Sequence, residues 1–149
     1  MSGVDAVDIV SLTYCVVSLA YYLGVIMLVV RNGSAETVEL HGARFTSCSA
    51  PSKGGTELAM WIVDVPPGAP AAPHRLDREE VLHVLAGRLA VKVDETAVDL
   101  GAGDTLAVPA GSLLAVGAVD APARLLACTR AGLSATMADG TVLSPPWAQ

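Results

Sequence analysis

The sequence predicts an all-β body, a sandwich or closed barrel of short strands, behind a separate apolar segment. Three observations predict it. Beyond Arg31 there is no long 3.6-residue period, and short apolar runs recur instead at roughly 8–12 residues. Gly, Pro, Asp and Ser clusters stand between the runs and break them into separate elements. The 149 residues are 52% hydrophobic and 16% charged, enough for one ordinary domain with a sizeable core and too apolar for a disordered chain.

The N-terminal element, residues 1–30, reads apart from the rest. From Ile9 to Val30, 22 residues carry no charge and hold all three Tyr; Asp5 and Asp8 precede the run and Arg31 follows it. Its length suits a membrane-spanning helix, which needs ~20 residues. No basic n-region and no A-x-A cleavage site mark it as a signal peptide. If residues 9–30 span, Arg31 and Arg44 follow with no Lys or Arg ahead, which places the domain at 31–149 in the cytoplasm, anchored to the membrane. Two other readings stand beside this one. The run is an extension foreign to the native protein, whose start is then Met27, or it belongs to the domain core.

The expected strands follow in order: Val38–Leu40, Ala43–Ser47, Leu58–Val65, Val81–Leu85, Leu89–Val93, Ala97–Leu100, Thr105–Val108, Leu113–Val116, Ala123–Thr129 and a weaker Leu133–Met137. Ala50–Gly55 between the second and third is expected to be a mobile loop. Pro66-Pro67-Gly68, Ala86-Gly87, Gly101 to Asp104, Pro109 to Gly111 and Asp139-Gly140 supply the turns. Strands without helices favour a sandwich or barrel, and closure removes exposed edges. After Arg31 the aromatics are Phe45, Trp61 and Trp147 alone, so the core must be built from Val, Leu and Ala. Pro145 and Pro146 cannot continue a ladder, and Trp147 is expected to pack back onto the barrel as a tail anchor.

Charge and cysteine usage exclude some functions. Nine Lys and Arg against fifteen Asp and Glu give a net charge of -6 and no basic stripe, so no nucleic-acid partner is expected. Cys15, Cys48 and Cys128 form no Cys-x-x-Cys and no paired framework, so neither a zinc finger nor a disulfide scaffold is indicated, and partly buried reduced thiols are expected.

Two spacings carry chemistry. Gly68, His74, Leu76, Glu80 and Gly87 read as G-x5-H-x-L-x3-E-x6-G, and Gly103, Pro109, Gly111 and Leu114 as G-x5-P-x-G-x2-L. They resemble the two motifs of the cupin family, G-x5-H-x-H-x3-E-x6-G and G-x5-P-x-G-x2-H-x3-N. The resemblance covers about Leu58 to Thr129 and implies a cupin-type double-stranded β-helix, or jelly-roll barrel. It also implies a homodimer, paired through edge strands. In metal-binding cupins the two His of the first motif, its Glu and the His of the second converge on one ion.

This chain departs from that pattern. Leu76 and Leu114 stand where two of the imidazoles would be, and Ala118 replaces the usual Asn. Only His74 and Glu80 survive as ligands if a metal is bound, and such a pair would hold Fe, Mn or Zn weakly. The leading expectation is therefore a cupin with an incomplete metal site and no cofactor. It would bind a small, largely apolar molecule against Leu76, Leu82, Val84, Leu106, Val108, Leu114 and Val116. The alternative is an enzyme. His74 and Glu80 would then be catalytic in a metal-free isomerase, dehydratase or decarboxylase, or a metal-dependent oxygenase would work with a reduced ligand set. A structural pair, with His74, Arg75 or Arg78 partnering a buried Glu80, is the third reading. His83 has the opposite strand parity to Glu80 and is expected on the other face. His41 is expected at the surface.

Overall fold

The described residues of the computed structural model are 17–22 and 25–149. They form fourteen strands: β1 (Val17–Tyr22), β2 (Val25–Val30), β3 (Thr37–Leu40), β4 (Ala43–Ser49), β5 (Leu58–Val65), β6 (His74–Leu76), β7 (Glu80–Ala86), β8 (Arg88–Val93), β9 (Thr96–Gly101), β10 (Thr105–Val108), β11 (Leu113–Ala118), β12 (Ala123–Arg130), β13 (Ala135–Met137) and β14 (Val142–Leu143). Two six-stranded sheets make the body, ordered β10-β7-β12-β5-β4-β3 and β14-β13-β6-β11-β8-β9. Every paired ladder within them is antiparallel. This is the jelly roll that the resemblance implies.

The alternation of burial explains why these segments are strands. Along β5, Ala59, Trp61, Val63 and Val65 are buried while Met60, Ile62 and Asp64 are half-buried. On β12, Ala123, Leu125, Ala127 and Thr129 point the same way. A period of two puts one set on the inner face of its sheet. Val84 and Leu125 from one sheet and Leu89 and Val91 from the other are almost wholly enclosed and form one cluster.

The expected helix over the apolar run is the main correction. The described residues of Ile9–Val30 form an antiparallel hairpin, β1 against β2, with register Val17↔Val30 through Tyr22↔Val25; residues 9–16, 23 and 24 lie outside the described residues. The run is rich in Val, Ile and Tyr, which suit a pleated surface. An apolar run without charged positions gives too weak a period to tell strand from helix. No helix among the described residues is long and apolar enough to cross a membrane.

The segment Ala50–Gly55, expected as a mobile loop, is tied down. Pro51–Lys53 form a 3-10 turn closed by a left-handed Gly54, and Lys53 is buried with its Nζ 3.0 Å from Glu36 Oε2. Gly87 lies between β7 and β8 at φ 76°, where an added Cβ would sit 2.6 Å from the Pro122 carbonyl oxygen. The tail also closes on the body. Pro146–Ala148 make a second 3-10 turn, and Trp147 is buried and stacked on Phe45, with ring centroids 4.0 Å apart. The Ser47 hydroxyl donates to the Trp147 carbonyl at 2.6 Å.

Candidate functional site: an apolar cavity between the sheets

A cavity of about 120 Å³ opens between the sheets at the end where β3, β4 and β5 face β6, β13 and β14. Phe45, Trp61, Val63 and Val65 wall one side, and Leu76, Leu114, Val116 and Ala135 the other. Leu133, Met137, Leu143 and Trp147 come from the C-terminal part of the chain. Exposed His41, Pro70 and Ala71 edge the mouth.

Both surviving motif residues face this space. β7 begins at Glu80, whose inward parity with Leu82 and Val84 follows from the strand period. Glu80 is 4% exposed, and its Oε2 has no hydrogen-bond partner. Burial pushes the Glu80 carboxyl up to about 8, because no cation offsets the loss of water around the charged form. At neutral pH it is therefore a carboxylic acid, able to donate. His74 opens β6 and is half-buried, with Nδ1 3.0 Å from the Ala72 carbonyl oxygen. An imidazole held that way donates from Nδ1 and leaves Nε2 free.

The positions that the resemblance assigns to imidazoles ring the same cavity. Leu114 is the register partner of His74 across the β6–β11 ladder, and Leu76 lies two residues along β6. Both are buried, at 2% and 7% exposure. The spacing thus marks one place in the barrel, and two of its four metal-donor positions are aliphatic. Among the described residues no group of three or more His, Cys, Asp or Glu side chains is placed to hold a metal ion. One imidazole and one carboxyl are too few donors to make a divalent-metal site.

Of the seven expected pocket residues, Leu76, Leu82, Leu114 and Val116 line the cavity. Val84, Leu106 and Val108 do not. They point inward at the β10 end of the sheet, where Val84 and Val108 are buried and half-buried Leu106 packs against the core cluster. On β7 the cavity reaches only Glu80 and Leu82, at the start of the strand. No hydrogen bond joins His74 to Glu80, and neither Arg75 nor Arg78 serves as the carboxyl's partner. Arg75 reaches the Gly111 carbonyl and Asp94, and Arg78 lies 3.6 Å from Asp77. His83 is on the outer face as expected, with Nδ1 2.8 Å from the Thr105 hydroxyl. His41 is exposed as expected, although it edges the mouth.

Sequence reasoning missed the β5 and β12 wall, Trp61, Val63, Leu125 and Ala127, although their alternation announced an inward face. Trp147 packs back onto the barrel as the tail anchor expected of it, and it lines the cavity as well.

A family model described as a cupin domain matches residues 61–128. No curated protein matches the chain in sequence. Among solved structures, it is similar to an RmlC-like cupin from Shewanella frigidimarina, at 19% identity and TM-score 0.60 over 68% of this chain and 88% of that one. It is also similar to a putative ethanolamine utilization protein q from Salmonella typhimurium, at 21% and 0.60 over 76% and 93%. A third is an oxalate decarboxylase from Lactobacillus farciminis, at 17% and 0.60, covering 66% of this chain and 31% of that one. At these identities the likeness is one of fold.

Proposed function

The chain carries a cupin domain, and from that premise we propose that it binds a small, largely apolar molecule inside its barrel. The observation that carries this reading is the cavity wall itself. Aliphatic side chains occupy two of the four positions where metal-binding cupins place ligands, and a cavity of about 120 Å³ remains between the sheets. Apolar cavities near this size, on the order of 150 Å³, stay dry and take up benzene-sized molecules. Native mass spectrometry of freshly purified protein is expected to show a small-molecule adduct. Stoichiometric iron or manganese in elemental analysis of protein prepared without chelator would overturn the reading.

One observation favours a second reading, metal-free acid–base chemistry. A protonated Glu80 in an apolar wall is poised to give a proton to a bound molecule, with the imidazole of His74 on the same cavity. Turnover that is lost in Glu80→Gln while binding survives would establish it. A homodimer, joined through an open edge such as β3 or β14, belongs to the same proposal. Sedimentation of the purified chain tests it.

A further inference from the structure

Two side chains on the cavity wall carry a buried polar atom without a partner: Trp147, through its indole Nε1, and Glu80, through Oε2. Unpaired buried donors are rare in folded proteins, and each one calls for an explanation. Trp147 is also held in place. It is 5% exposed, its ring stacks on Phe45 at an interplanar angle of 17°, and its backbone carbonyl accepts the Ser47 hydroxyl. Its indole is fixed before any ligand arrives. The wall carries no Lys or Arg, so an anion would find no permanently charged partner there; its ionisable side chains are His41 at the mouth, His74 and Glu80.

We propose that the molecule held in the barrel is neutral and ring-sized and carries a carbonyl-type acceptor, which takes a hydrogen bond from the Trp147 indole N–H. The C-terminal turn Pro146–Ala148 is then the element that sets specificity. This rests on the binding reading above and adds to it the ligand's charge and its polar group. An indole N–H only donates, so the ligand must supply the acceptor. A protonated Glu80 offers a second donor on the same wall. Pairing a donor that is otherwise sealed from water adds affinity that a hydrocarbon of the same shape cannot supply.

The test uses four probes of similar size: cyclopentanone, methylenecyclopentane, cyclopentylammonium and cyclobutanecarboxylate. Binding is followed by NMR of the full chain labelled with 15N. Cyclopentanone is expected to bind about tenfold more tightly than methylenecyclopentane and to shift the Trp147 indole N–H resonance. In Trp147→Phe, which keeps an aromatic ring against Phe45, that tenfold advantage should be largely lost. If the hydrocarbon binds and the ketone has no advantage, or the indole resonance does not move, the inference fails while the binding reading stands. Preference for either charged probe would overturn the inference in the same way. If none of the four binds, both fall. The wild-type indole resonance decides the matter even if Trp147→Phe does not fold.

Discussion

Glu80 keeps its proton through the neutral range because ionising it inside the barrel would strand a charge. Its folded value of about 8 stands above the ordinary 4.5, which fixes the sign of its effect on stability. Below about 4.5 both folded and unfolded chains hold the proton. Between 4.5 and 8 the unfolded chain releases it and the folded one does not, so stability falls as pH rises. Above 8 the loss levels off. The denaturant midpoint is expected to drop between pH 5 and pH 8.5, and Glu80→Gln should flatten that slope. An unchanged slope would show that the carboxyl is solvated. Asp94 and Asp139 are held low by the backbone N–H groups of Leu113 and Thr141, so they act only in more acid solution. The motif spacing made this residue legible, along with its neighbours Leu76 and Leu114. Restoring the imidazoles in a Leu76→His, Leu114→His double variant is expected to create a site for manganese, nickel or zinc, read as stoichiometric metal by elemental analysis. A variant that folds and stays metal-free would mean the four positions do not converge. The sequence could not reveal that Glu80 lacks a cation, because Arg75 and Arg78 are its near neighbours in the chain yet turn to Gly111, Asp94 and Asp77.

All ten expected strands form, because each had enough apolar positions at a period of two and a turn signal at its end. Four strands were not expected: β1 and β2, which lie in the apolar run read as a helix, and β6 and β14, which are three and two residues long. Segments so short hold no pattern. β6 is a strand because β11 and β13 pair with it on either side. The turns carry their own constraints. At Gly87 a Cβ would strike the Pro122 carbonyl and Ala123 while the backbone sits in the left-handed region. Gly87→Ala is expected to cost about 1–3 kcal/mol in chemical denaturation. No loss would show that the β7–β8 turn has room to move.

At the scale of the whole molecule, the two six-stranded sheets close on each other without help from the β1–β2 hairpin, which forms a ladder of its own. A side-chain contact links the hairpin to the body, with Leu28 lying against Gly54. A chain beginning at Arg31 is therefore expected to keep the barrel's unfolding transition, with its midpoint nearly unchanged. A fall of several kcal/mol in that comparison would make the hairpin part of the domain core. The jelly roll was legible from motif spacing and turn signals. The off-centre position of the cavity was not, since it depends on how the tail folds back to meet β4, a contact a hundred residues apart in the chain.

The chain has two tryptophans, and both line the cavity. Its tryptophan emission therefore arises at the wall of the binding space, with no indole elsewhere to dilute it. A molecule entering the barrel announces itself optically in the unlabelled wild-type protein, and a collection of unknown extracts can be screened by that signal alone.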